Sequence, residues 1–190
     1  MTAAELVEQL AQDPGYQERK AKFDSELENR VADWRRAEAP LVADLRRVGI
    51  DVESVWDLVN AEEPYAAALP ILVQYLEVGD LPDRVLEGVG RSLAVKPAVE
   101  FWDRLLAVMK SEPTAGHAEG VAVAMAGCAT PDHISDLIAM IVEMKRTPAH
   151  IHLLRPIYAH GGDLGRSCVK SLLEDPILAK EASILMSAEP

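Results

Sequence analysis

Glu87-Gly88-Val89 stands within the stretch Pro82-Asp83-Arg84-Val85-Leu86-Glu87-Gly88-Val89-Gly90-Arg91-Ser92-Leu93-Ala94. It recurs as Glu119-Gly120-Val121, an offset of 32 residues from 87 to 119. At that offset Leu93 falls on Met125 and Ala94 on Ala126. Trp102, Leu105, Leu106 and Met109 map onto Ile134, Leu137, Ile138 and Ile141 in the same way. A third copy fits with one added residue, which places Val121 on Leu154 and Met125 on Tyr158. Apolar residues three and four apart mark helices. Two helical patterns that share one offset mark a repeated helical hairpin.

Working outward, first helices are expected over 65–78, 98–111 and 132–146, and second helices over 83–95, 115–128 and 149–160. A shorter pair, over 165–174 and 177–187, reads as a C-terminal cap. Turn residues fall between the apolar blocks: Gly79-Asp80-Leu81-Pro82, Glu112-Pro113, Thr130-Pro131, Thr147-Pro148, Gly161-Gly162 and Asp175-Pro176. No segment carries a strand alternation. Gly88, Gly90 and Gly120 sit inside helices, where a missing Cβ lets two helices approach closely.

The first fifty residues differ. Thr2-Ala3-Ala4-Glu5 has the form of a helix cap with an acid at the third position. A short helix after it stops near Asp13-Pro14-Gly15. A charged helix then runs from Tyr16 to about Glu38, with Phe23, Leu27, Val31 and Trp34 in one narrow stripe. Pro40 is expected to end or kink that helix, residues 41–48 to continue its pattern, and Gly49 to cap it. Another short helix is expected over 53–60. The chain thus reads as a charged N-terminal helical extension or cap over 1–50, and helical repeats with a C-terminal cap over 51–190.

Composition bounds the chemistry. Of 190 residues, 49% are hydrophobic and 26% charged, enough apolar mass for a core. The formal net charge is −12, from 31 acidic and 19 basic residues. Nucleic acid and anionic lipid are bound largely by neutralising phosphates with Lys and Arg, so neither is an expected partner. The two cysteines, Cys128 and Cys168, make no disulfide framework and suit buried, reduced thiols. The longest wholly apolar run, 137–142, is too short to span a bilayer. The acidic N-terminus has no signal-peptide character, so the expected compartment is the cytoplasm.

Catalytic and metal signatures are absent from the pattern. His150 and His152 point to different sides of a helix, and His152 and His160 share a side only loosely. Structural zinc wants four closely spaced Cys or His ligands, so no metal site is expected. Cys128 lies in Ala126-Gly127-Cys128-Ala129 with nothing nearby to lower its pKa. There is no nucleophile elbow and no glycine-rich phosphate loop. No cofactor is expected, and the chain is expected not to be an enzyme.

The stretch 82–94 resembles the second helix of a HEAT repeat, and Pro70 matches the proline that often kinks a HEAT first helix. The resemblance covers roughly residues 64–188. It departs where the usual basic residue is Leu86 and then Ala118, and where the preceding Val85 becomes His117 and then His150. The block 41–60, with Asp51-Val52-Glu53-Ser54-Val55-Trp56-Asp57-Leu58-Val59-Asn60, resembles a segment of bacterial HEAT-repeat proteins. The resemblance implies an all-α fold, a right-handed α-α superhelix in which second helices line the concave face. It also implies a non-catalytic scaffold that binds another protein, a function the fold alone does not single out. With Val85, Val89 and Leu93 turned inward, Arg84, Glu87 and Arg91 turn outward. Glu119, then His152 and Arg155, continue that stripe and complete the candidate binding face. A second expectation is a self-assembling structural protein, a homodimer joined through Phe23, Leu27, Val31 and Trp34. A third is a HEAT-like enzyme or lyase subunit, for which no residue speaks.

Overall fold

The computed structural model describes residue 2, residues 9–11 and residues 13–187, and every regular element among them is a helix. Of the cap expected at Thr2-Ala3-Ala4-Glu5, residues 3–5 lie outside the described residues. The chain divides into two compact units, residues 1–37 and 38–190. No helix among the described residues is long and apolar enough to cross a membrane.

The first unit is dominated by the leading part of helix α1 (Pro14–Arg47). Asp13 starts that helix by accepting a hydrogen bond from the Gly15 N–H at 2.9 Å. Lys20–Asp24 and Lys22–Glu26 are spaced i,i+4, at 3.8 and 3.9 Å. Almost every side chain from Gln17 to Arg30 is exposed.

Pro40 does not end the helix. The last three turns of α1 belong to the second unit, where Glu38, Leu41, Val42 and Leu45 are buried. Burial on both sides of the proline holds the helical path that the missing N–H alone would favour breaking. Gly49, at φ +84°, then caps the helix, and the Ile50 N–H reaches back to the Leu45 carbonyl at 3.0 Å. The helix expected over 53–60 shrinks to a 3₁₀ turn, Val55–Leu58. Ser54 and Asp57 form its capping box. The buried Glu38 carboxylate accepts from the Ser54 hydroxyl at 3.0 Å and the Val55 N–H at 3.1 Å. Those bonds tie the turn to α1, and Asn60 at φ +75° ends the segment before a second α-turn forms.

The rest of the second unit is a stack of helical hairpins. The first hairpin is α2 (Leu69–Val78) with α3 (Asp83–Ser92), and the second is α4 (Trp102–Lys110) with α5 (Ala115–Cys128). The third is α6 (Ile134–Glu143) with α7 (Ile151–His160), and α8 (Gly162–Ser171) and α9 (Ala179–Ser187) close the stack. Second helices lie side by side, α3 on α5 and α5 on α7, while α2 and α4 meet in the other layer. Short 3₁₀ turns at 66–68, 96–101, 131–133 and 148–150 lead into α2, α4, α6 and α7. Leu72, Leu76, Val89, Leu93, Leu105, Val121, Met125, Leu137 and Leu154 are fully buried between the layers.

Helices α3 and α5 approach until their backbones touch. A Cβ placed on Gly90 would sit 2.2 Å from the Gly120 carbonyl carbon, and one on Gly120 would sit 2.8 Å from the Leu86 oxygen. Gly88 makes room in the same helix for the Trp56 ring. The repeated glycines therefore set the spacing of the second-helix layer.

Candidate functional site

The second-helix layer carries one connected row of charged groups. The Arg84 guanidinium lies 3.7 Å over the Trp56 ring, and the Trp56 indole N–H donates to the Arg84 carbonyl at 3.2 Å. Arg84 Nη1 donates to Glu87 Oε2 at 3.0 Å. Arg91 Nε donates to the other Glu87 oxygen at 2.9 Å. Across the helix gap, Arg91 Nη2 reaches Glu119 Oε1 at 3.1 Å. The same Glu119 oxygen lies 2.5 Å from His152 Nε2, on the next second helix. One carboxylate of α5 thus bridges α3 and α7.

Five of the six candidate residues, Arg84, Glu87, Arg91, Glu119 and His152, are joined in this row. The register that turns Val85, Val89 and Leu93 into the core presents them together, as helical spacing requires. Glu87, Arg91, Glu119 and His152 keep between 19% and 29% of their side-chain surface, so the pairs are partly shielded from water. Their oxygens and nitrogens are largely taken up by one another.

Arg155 is different. It is exposed on α7 and forms no hydrogen bond or ion pair among the described residues. It stands on a groove of about 690 Å³ between α5 and α7. Val123, Ala126, Ile151, Pro156 and Ala159 make the apolar walls. His152 and His160 join Arg155 on the polar side, and Glu181 of α9 is the one acid among the described residues that lines it. Nothing in the repeat pattern announces this groove, because it depends on how small residues of α5 face α7.

The four N-terminal candidates lie on α1. Phe23 is 57% exposed and Leu27 38%, while Val31 and Trp34 are half-buried. They hold the single stripe that their spacing predicts.

A further signal is visible in the sequence once the structure points to it. Thr114-x-x-His117, Thr130-x-x-His133 and Thr147-x-x-His150 each open a helix. In the last two, the histidine Nδ1 accepts from the threonine N–H, at 3.3 and 3.2 Å, and the threonine hydroxyl lies within 3.0 Å. These are capping boxes with histidine in the usual glutamate place. His133 also stacks on Trp102 with ring centroids 4.1 Å apart. His117 and His150 occupy the core place of Val85, and each has a buried Nε2 without a hydrogen-bond partner. Burial pushes both rings below the ordinary histidine pKa.

The remaining chemistry is sparse. Burial pushes the Cys128 thiol up to about 11, which disfavours the nucleophilic thiolate. Among the described residues no group of three or more His, Cys, Asp or Glu side chains is placed to hold a metal ion. Comparison with protein-family models, with curated proteins and with solved structures returns no match.

Proposed function

We propose that this chain is a non-catalytic protein-interaction module of the HEAT-like kind, which docks its partner on the second-helix layer. One observation carries the reading. The charged row satisfies itself and stiffens the layer, whereas Arg155 is left unpaired beside an open apolar groove. A groove with apolar walls and a few polar groups is the usual form of a docking site. Helix-in-groove recognition places apolar anchors on such walls and a charge on the rim. The row has a structural task, and Arg155 with the groove has the recognition task.

A photo-crosslinking side chain at Ala159, which is exposed and lines the groove, tests this in the host cell. A discrete adduct is expected there and not from Val142, which is 65% exposed on α6. Arg155→Glu is expected to remove the adduct. An absent adduct, or one indifferent to Arg155→Glu, overturns the reading.

Self-assembly through α1 is the second reading. The exposure of Phe23 and Leu27 in the first unit favours it.

A further inference from the structure

Helix α7 carries Arg155 and one wall of the groove, and His150 holds its start. We propose that this start is an acid-sensitive latch: proton uptake at His150 breaks the cap of α7 and loosens the helix, so that the docking groove stands in neutral solution and comes apart in acid. The inference rests on the docking reading above and adds the regulation of that site.

The His150 ring is 1% exposed. Its Nδ1 accepts from the Thr147 N–H at 3.2 Å, so the neutral ring carries its proton on Nε2. That buried Nε2 has no hydrogen-bond partner among the described residues. A second proton therefore enters at Nδ1, where it faces the Thr147 N–H and removes its acceptor. The Thr147 hydroxyl, 3.0 Å away, already accepts from the His150 N–H. The new charge also stands at the positive end of the α7 dipole. A buried cation without an ion pair is costly, so the charged ring leaves its site. Helix α7 is ten residues long, and Pro156 removes one of its backbone bonds, so it depends on its cap more than a longer helix does.

The surroundings offer little to offset that charge. Lys110 and Glu112, at and just after the end of α4, and Glu143 and Lys145, at and just after the end of α6, line the pocket that His150 borders. All four are exposed, two of each sign. Helix α5, which packs on the 148–150 turn, gives Ala118 to that pocket. Its Glu119 is taken by Arg91 and His152, and its His117 lies beside Gly79. On α7, Arg155 and His160 face the groove. Asp175 is taken by Arg146, which adds a cation near the ring. Burial, then Arg146, push the His150 ring below the ordinary histidine pKa, against the pull of the Thr147 backbone. Thr130 and His133 repeat the cap at α6, but that ring is half-buried and stacks on Trp102.

Helix-resolved hydrogen exchange of the full chain at about pH 7.5 and about pH 5.5, each corrected for the intrinsic exchange rate, tests the latch. After that correction, amides of α7 are expected to exchange up to about tenfold faster at the lower pH, the limit set by a freed ring of ordinary pKa, about 6.5. Amides of α3 are expected to keep their protection. An α7 that stays equally protected in acid overturns the latch, and so does a loss of equal size in α3. His150→Gln keeps an acceptor for the Thr147 N–H and does not titrate. It is expected to hold α7 equally protected at both pH values, and a loss as large as the wild type's overturns the proposal. If that variant does not fold, nitrogen NMR of the wild-type imidazoles carries the test. His150 is expected as the Nε2–H tautomer near neutral pH, with the Thr147 amide signal shifting as the ring titrates. An Nδ1–H ring, or a Thr147 amide indifferent to the titration, overturns it. These readouts need no partner, whereas the crosslink at Ala159 near neutral pH reads docking, so the two failures are distinguishable.

Discussion

Gly90 and Gly120 show how far a single hydrogen atom sets the packing. A Cβ on Gly90 would meet backbone rather than a flexible side chain, at 2.2 Å, so two helices would have to separate. Gly90→Ala is therefore expected to destabilise the fold by about 1–3 kcal/mol or more, even though alanine favours helix. Urea unfolding measures it, and an unchanged midpoint would show that α3 and α5 need no contact there. The glycine places were legible as repeat positions, because the triplet recurs and glycine in a helix wants a reason. The histidine places were only half legible. His117 and His150 were aligned with Val85, yet their burial depends on which wall closes over them. Their consequence follows from linkage. Both pKa values are lowered in the folded chain, so the unfolded chain binds more protons as pH falls past the usual value of about 6.5. The stability from these neutral rings is complete above that value and drains away below it. Thermal melts at about pH 7.5 and about pH 5.5 are expected to show a drop, flattened by His117→Val, which restores the residue type of the equivalent position 85. An undiminished drop in that variant would place the titration elsewhere.

Helix α1 and the 3₁₀ turn after it show what element-level reading misses. Proline is expected to end or kink a helix because its ring removes a donor and crowds the preceding turn. The helix nevertheless runs on to Arg47, because Leu41, Val42 and Leu45 bury the turns that follow. Residues 53–60 carry helical spacing, but Glu38 occupies the first donors of that segment and Asn60 turns the chain away. Such a partner, 16 and 17 residues distant, leaves no periodic trace. Glu38→Ala is expected to cost about 1–3 kcal/mol, since it leaves the buried Val55 N–H and the Ser54 hydroxyl without their acceptor. Glu38→Gln, which keeps an acceptor oxygen, is expected to recover much of that loss in the same urea titration. The charged row on the second helices is the other element-level feature. Its members were legible as one outward stripe. Their mutual pairing was not, because it requires the register between helices. Arg91→Glu is expected to lower the melting temperature, since it sets a carboxylate against both Glu87 and Glu119. Arg155→Glu is expected to leave it nearly unchanged, as exposed residues outside a network usually do. Equal losses in the two would mean that the row has no structural task.

At the scale of the whole molecule, each hairpin buries apolar surface on the neighbour before it and the neighbour after it. Cross-hairpin bonds mark those joints: Arg104 to Glu77 at 2.7 and 2.6 Å, Trp102 to Asp136 at 2.8 Å, and Arg146 to Asp175 at 2.8 Å. Stacks of this kind gain stability from nearest-neighbour interfaces, so a middle unit counts twice. The repeat order was readable because the same face recurs at one offset. The groove was not, because its walls come from three helices in no fixed sequence relation. Leu105 lies fully buried in α4, with hairpins on both sides. Leu105→Ala is expected to open a cavity costing about 2–5 kcal/mol. Leu106, its neighbour, is only half-buried, so its truncation costs less than position in the repeat alone would suggest. Leu172 is 2% exposed, as deeply buried as many central residues, but it follows α8 in the closing pair. An end pair opens locally without unfolding the rest, so Leu172→Ala is expected to cost less in global stability than Leu105→Ala. Native-state hydrogen exchange separates the two effects. Amides of α8 and α9 should lose protection in Leu172→Ala while those of α4 and α5 keep it, whereas Leu105→Ala should lower protection throughout the stack. If Leu172→Ala lowers protection everywhere by as much as Leu105→Ala, the closing pair is part of one cooperative core and does not act as a cap.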